Sequence, residues 1–258
     1  MPPLTWLYVP ADRPDRIEKA LASRAHAVIV DLEDGVPGHA KEQARAGLAL
    51  LLAEPHDKAV YVRVNAGDAA DLDAVAPLAV DGVVVPKVED PDDLPEGVRV
   101  HALIETALGL EAAFAIASDP AVHGLSLGEA DLRSQTGARE AGLDWARSRV
   151  VNAAVAAGLP RPPQSVYPHV RDPEGLAASC RRGRELGHLG RAAIHPDQLP
   201  VIERAYLPTA AEVETARETV ARLGADAPGT LSDGAFVDPA MLGGARQVVA
   251  LAERYGTA

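Results

Sequence analysis

The chain has 258 residues, 47% of them hydrophobic but only 3% aromatic, and a formal net charge of −12. Its length suits one large α/β domain packed by Ala, Val and Leu rather than by rings. The acid excess, with a pI near 5.1, leaves no basic stripe or stacking platform for nucleic acid, and no segment reads as a membrane span or secretory signal, so a soluble cytoplasmic protein is expected.

Eight short apolar runs read as strands: TWLYVP (5–10), AVIVD (27–31), AVYVRVN (59–65), GVVVPK (82–87), VRVHALIE (98–105), HGLSLG (123–128), SVYP (165–168) and AAIHP (192–196). Most are continuous rather than alternating, the pattern of parallel strands covered on both faces. Helical segments lie between them. One has Asp172 as cap, Pro173 at its first position and Gly187 at its far end. Another has a capping box from Thr209 and Glu212, with Gly224 past its last turn. Strand followed by helix, again and again, predicts a TIM (β/α)8 barrel over 1–223. A doubly wound sheet is the rival, but PADRPDR, not a Gly-rich phosphate turn, follows the first strand. Residues 224–258 read as a flexible connection, GADAPGTLSDGAF, and an appended C-terminal helical tail.

Cys180 is the only cysteine, which excludes an internal disulfide; it reads as inert packing in a helix. His26, His39, His56 and His188 read as surface residues. In a barrel, polar groups at strand C-terminal ends converge on one mouth. Here they are Asp12, then Asp31, Glu33 and Asp34, then Arg63 and Asn65, Lys87, Glu105, Asp131, Tyr167 and His195. Glu105 and Asp131 end neighbouring strands, and two acids that close share a cation or a proton. Helix capping is the competing role. With no Cys or His cluster, a hard cation such as Mg2+ is the expected occupant. Arg63, charged within an apolar strand, must be paired or aimed at an anion. Asp31, Glu33 or Asp34 could orient it and leave one edge for a substrate carboxylate or enolate. His195, before Pro196, reads as structural, and Asp238, before Pro239, reads by spacing as a helix cap.

Nine stretches taken in order, LYVPADRPDRIEKAL, AVIVDLEDGV, VRVN, GVVVPKVED, LIETALGL, LSLGEADL, VYPHVRDPEGL, AIHPDQ and AFVDPAML, resemble the citrate lyase beta-subunit-like family of CoA-ester lyases, relatives of malyl-CoA lyases. The resemblance implies a TIM barrel, oligomeric and often trimeric. The implied reaction is Mg2+-dependent: a β-hydroxyacyl-CoA such as citryl-CoA or malyl-CoA is cleaved to, or formed from, an acyl-CoA and oxaloacetate, glyoxylate or pyruvate. It implies Glu105 and Asp131 as metal ligands, Arg63 as partner of the substrate carboxylate and enolate, and Tyr8, Lys19 and the main chain of Ile194 and His195 along the CoA path. Asp238 then corresponds to an acid or base that reaches a neighbouring subunit's mouth. Asp31, Glu33 and Asp34 would form an outer layer holding Arg63, Lys87 and metal-bound water. Two departures stand out: Ala11 where a glycine is usual, and Ala130 in place of one of two adjacent acids. Two alternatives remain open: a CoA-independent, metal-dependent pyruvate-type aldolase, and a non-catalytic CoA-binding subunit of a multienzyme complex.

Overall fold

Seven of the eight expected strand segments form one parallel sheet in the computed structural model, which describes residues 2–224 and 228–258. They are β1 (Thr5–Pro10), β2 (Ala27–Asp31), β3 (Ala59–Arg63), β4 (Gly82–Val85), β5 (Val100–Ile104), β6 (Val122–Leu127) and β7 (Arg191–Ala193). The order β6-β5-β4-β3-β2-β1-β7 sets each of the first six strands beside its predecessor and returns β7 to β1. No order reversal occurs, which removes the doubly wound alternative.

The sheet curls without closing, which corrects the expected eight-stranded barrel. The segment 165–168 is not a strand; Gln164 makes a single parallel bridge to Arg191. Toward β6, Glu129 N donates to Ser165 Oγ at 3.4 Å, a weak bond. Pro162, Pro163 and Pro168 crowd this segment, and proline supplies no N–H to a ladder.

Every residue of β2, β4 and β5 is buried, as their unbroken apolar runs require. Alternate positions on five strands supply a central cluster of Trp6, Ala27, Ile29, Val84, Leu103 and Ala192. The helices are α1 (Pro14–Leu21), α2 (Lys41–Leu51), α3 (Ala69–Val75), α4 (Ala107–Ala117), α5 (Glu129–Thr136), α6 (Asp144–Ala156), α7 (Pro173–Glu185), α8 (Leu199–Tyr206), α9 (Ala210–Leu223) and α10 (Leu242–Tyr255). Only a 3-10 turn, Pro91–Asp93, lies between β4 and β5. Asp172 caps α7, and Thr209 with Glu212 forms the capping box of α9. Among the described residues no helix is long and apolar enough to cross a membrane.

The described residues fall into two compact units, Pro2–Ile202 and Glu203–Ala258. Thus α9, expected as the last barrel helix, belongs to the second unit and packs against α10. Residues 228–236 of the expected flexible connection include most of a hairpin, β8 (Gly229–Thr230) with β9 (Phe236–Val237); residues 225–227 of that connection lie outside the described residues. Leu231 and Val237 join Leu223 in a small core under Leu242, and Ser232 donates from N and Oγ to Glu218.

His188 is not a surface residue: it is 1% exposed, with Nδ1 3.1 Å from the Pro162 carbonyl. His26 and His56 are half-buried. Burial pushes His188 down to about 4, so below its unfolded value near 6.5 the unfolded chain takes up a proton that the folded chain refuses. Its share of stability is present above pH 6.5 and is lost as pH falls toward 4. Relative to His188→Gln, the wild type should lose up to about 3 kcal/mol between pH 7 and 4, read from denaturant unfolding at each pH.

Candidate active site

At the C-terminal ends of the strands the first unit opens into a cavity of about 460 Å3. Its rim carries Asp31, Asp34, Arg63, Glu105, Glu129 and Asp131, with Tyr8, Arg16 and Ile194 beside them. Three of these follow from strand register: Asp31 ends β2 directly across from Arg63, which ends β3, and Glu105 follows β5.

Asp31 and Glu33 are buried, and each has a cationic partner. The Asp31 carboxylate accepts from Arg63 Nε and Nη2, both at 2.7 Å, and from the Glu33 and Gly35 amides at 3.0 and 2.8 Å. Glu33 sits between Arg63 Nη1 at 2.8 Å and Lys87 Nζ at 2.6 Å. The like charge at the end of β2 is thereby neutralised by two cations, and Arg63 is held flat in a two-pronged clamp. Burial opposes charge on Arg63, but its carboxylate partners outweigh it and hold the guanidinium above its ordinary value. Arg63 also lies over the Tyr8 ring, 5.1 Å from its centre, and burial is the chief reason the Tyr8 phenol is raised. Asp34 is exposed on the rim and makes neither a hydrogen bond nor an ion pair among the described residues.

Gly35 makes the Asp31 turn possible, since a Cβ there would collide with Asp31 Oδ2. Gly35→Ala should therefore loosen the clamp and lower stability by about 1–3 kcal/mol, measured by chemical denaturation.

Lys87 adopts φ 54°, alone among described non-glycine residues in that region. Such a conformation is disfavoured and persists where surroundings impose it. Here the Lys87 amide donates to Glu105 Oε1 at 3.0 Å while its ammonium binds Glu33 and stands 3.7 Å from Glu105. Burial works against the charged lysine, yet Glu33, Glu105 and Asp34 hold it above its usual value. Ala11, by contrast, needs no left-handed conformation, so alanine serves at that turn without strain.

Glu105 is 3% exposed. Burial pushes its carboxyl up to about 7; Glu33 and Asp131 add to the push, and Lys87 and Arg63 oppose it. Neither Glu105 nor Asp131 is a helix cap. Thr106 caps α4, accepting from Gly109 N at 3.1 Å, and Asp131 lies inside the first turn of α5, behind Gly128. Asp131 is half-buried on the cavity wall and has no hydrogen bond or ion pair among the described residues. Gly128 leaves the room that Glu105 occupies, because a Cβ there would collide with Glu105 Oε2. Glu129 is held elsewhere, gripped by Arg147 at 2.8 and 2.6 Å; Ala130 adds no carboxylate. Among the described residues no three His, Cys, Asp or Glu groups cluster as a complete metal cage. A buried acid paired with a partner-free one fits a hard divalent cation that keeps most of its positions for water and substrate oxygen.

Of the other expected site residues, Tyr8 and Ile194 line the cavity and the rest do not. Lys19 is on α1 with a side chain 79% exposed, 3.7 Å from Asp15, and does not line the cavity. The Ile194 amide donates to Gln198 Oε1 at 2.9 Å, while His195 caps a 3-10 turn, accepting from Asp197 N. Asn65 is bound to Asp71 and Leu32, and Tyr167 donates to Asp172 at 2.6 Å. Asp12 is half-buried and does not line the cavity. Asp238, in the second unit, caps a 3-10 turn by accepting from Ala240 N at 2.9 Å. Cys180 is fully buried, and burial raises its thiol.

Some lining residues escaped the sequence reading. His101 and Ser126 meet at 2.6 Å inside the sheet; His101 shares the face of Glu105 by period two, a signal present in VRVHALIE. Arg16, the third residue of α1, lines the rim. Arg147, which does not line the cavity but pairs with Glu129, Glu140 and Asp144, gave no signal because Glu129 is eighteen residues away.

Parallel sheets of sequential order put their chemistry at strand ends, and the charges gathered here define an α/β enzyme that handles anionic, oxygen-rich substrates. Residues 4–196 match the HpcH/HpaI aldolase/citrate lyase family, and the chain belongs to that family. It is 35% identical over 272 residues to a (3S)-malyl-CoA thioesterase of Cereibacter sphaeroides, spanning 96% of this chain and 93% of the relative. It is also 35% identical over 252 residues to a citrate lyase subunit beta-like protein of Mycobacterium tuberculosis, spanning 92% and 91%. The crystal structure of CitE from M. tuberculosis in complex with magnesium, acetoacetate and coenzyme A superimposes with a TM-score of 0.84 at 33% identity, covering 96% of this chain and 97% of that one.

Proposed function

We propose that this protein is a Mg2+-dependent carbon–carbon lyase that cleaves, or forms, a β-hydroxyacyl-CoA to give an acyl-CoA and a 2-oxo acid. The observation that supports it most is buried Glu105 beside partner-free Asp131, opposite Arg63, in a chain of the aldolase/citrate lyase family. The relative crystallised with magnesium, acetoacetate and coenzyme A points the same way. The curled sheet then serves as a (β/α)8 barrel with residues 163–167 as its eighth stave.

Glu105 and Asp131 would hold Mg2+ through carboxylate oxygens. Bound there, the ion supplies Lewis-acid polarisation of the hydroxy acid's oxygens. The hydroxyl proton leaves to a carboxylate base, its electron pair forms the new carbonyl, and the carbon–carbon pair passes into the thioester as an enolate. Arg63, oriented by Asp31 and Glu33, turns its remaining N–H groups toward that oxyanion or the substrate carboxylate. Lys87 positions Glu33 and Glu105. Asp238 is the group we assign to proton exchange at the acyl α-carbon, reaching a neighbouring subunit of a cytoplasmic homo-oligomer, a trimer by family likeness. Tyr8, Lys19 and the Ile194–His195 main chain would flank the CoA arm, and Asp34 would orient water at the rim.

A second reading, thioester hydrolysis, has its support in the 35% identical thioesterase. Incubating the purified chain with Mg2+ and a panel of hydroxyacyl-CoA esters separates the readings by product. A lyase releases a 2-oxo acid and keeps the thioester; a thioesterase releases free CoA thiol and an intact hydroxy acid. A CoA-independent aldolase would cleave free hydroxy-oxo acids, and a non-catalytic subunit would bind CoA without turnover. Absence of 2-oxo acid from every ester would end the lyase reading.

A further inference from the structure

The cavity does not stop at the carboxylates. Along β5, His101, Leu103 and Glu105 share one face, so Leu103 lies about 7 Å and His101 about 13 Å further down the strand. Ile29 lies equally one repeat below Asp31, and Trp6 one below Tyr8. These side chains line the same cavity as Glu105, together with Val84, Ala192 and Ser126. The inner part is therefore an apolar chamber roofed by the charged rim. Every charged lining side chain belongs to a strand end or the segment that follows it, and none belongs to the chamber. Its polar groups are neutral: burial pushes His101 down to about 4, and its Nε2 is engaged with Ser126 Oγ. The lining cations are Arg16 of α1 and Arg63 at the end of β3, and Arg63 is clamped there by Asp31 and Glu33.

A CoA thioester must leave its long arm in solvent, so the atoms that go deepest are those farthest from sulfur. In a β-hydroxyacyl-CoA these are the substituents of the carbinol carbon. Its carboxylate belongs with the rim cations, which turns the remaining substituent toward the chamber. A second carboxylate there would be buried without a partner, at a cost of several kcal/mol, whereas an alkyl group gains from burial. We infer that the chamber lined by Trp6, Ile29, Val84, Leu103 and Ala192 selects substrates whose 2-oxo acid half bears an uncharged alkyl group larger than methyl, in preference to oxaloacetate. This rests on the lyase reading for where the acid half sits.

The test is calorimetric binding of glyoxylate, 2-oxobutyrate, 2-oxoisovalerate and oxaloacetate to the full chain in Mg2+, followed by condensation assays with acetyl-CoA. The two alkyl acids should bind about tenfold or more tighter than oxaloacetate. Ala192→Leu, which fills the chamber, should shift preference toward glyoxylate by about tenfold; Leu103→Ala, which enlarges it, should shift preference by a similar factor toward 2-oxoisovalerate, a change that misfolding would not mimic. Oxaloacetate binding tightest, no binding by any acid, or an order unmoved by both variants would overturn the inference. Binding in the expected order without condensation would remove the lyase reading and leave the chamber's selectivity standing; condensation with oxaloacetate preferred would do the reverse.

Discussion

Arg63→Met should lower kcat/KM by about 10^3-fold and stability by about 3–5 kcal/mol. The two losses have different origins. Stability falls because Asp31 and Glu33, 4% and 6% exposed, lose the guanidinium that pairs with them at 2.7 and 2.8 Å; Lys87 compensates only Glu33. Activity falls because the fork that would meet the oxyanion is gone. Arg63→Lys keeps a charge but not the planar clamp on Asp31, and should recover part of the stability and little of the rate. Adding Asp31→Asn to Arg63→Met should restore part of the stability without restoring turnover, since the buried charge that lost its only cation is then neutral. Urea unfolding and steady-state kinetics on the same four proteins separate these effects. Equal recovery of both by the double variant would mean that Arg63 acts only as a structural cation.

Glu105→Gln and Asp131→Asn should each lower kcat by about 10^3-fold, and the double variant by little more than either alone, because two ligands of one ion act as a unit. The stability change should run the other way for Glu105. A neutral isostere still accepts the Lys87 amide at Oε1 but removes a carboxylate that burial disfavours, so metal-free Glu105→Gln should unfold at a higher temperature than metal-free wild type. A site that is less stable with its native charge than without it has that charge for function. Additive kinetic losses, or a drop in melting temperature for Glu105→Gln, would break the pairing.

Much of the sheet was legible because parallel strands are buried on both faces and leave unbroken runs such as AVIVD and VRVHALI. The eighth segment misled because SVYP has strand composition, while flanking prolines deny it the N–H groups of a ladder. The division between units was hidden by α9, whose capping box is identical whether the helix covers a sheet or packs against α10. At the site, register made Asp31, Arg63 and Glu105 readable, since each sits at a strand end. Asp34 differs from Asp31 and Glu33 in burial, which adjacency does not show: Asp31 accepts from the Gly35 amide, and Asp34 is left exposed on the rim, where its charge still favours the Lys87 ammonium. His101 and Ser126 were missed because attention to strand ends overlooks what lies one or two pleats below them. The grip of Arg147 on Glu129 was beyond reach, because the two lie on different helices eighteen residues apart.

The central claim is that Glu105 and Asp131 together hold a divalent cation. Its most direct measurement is Mn2+ binding to the metal-free chain, as a spectroscopic stand-in for Mg2+, by electron paramagnetic resonance. The expected result is one site per chain that Mg2+ displaces and that both Glu105→Gln and Asp131→Asn weaken by about tenfold to a hundredfold. Binding of the same affinity in both variants, or a wild type that binds no ion, would contradict it.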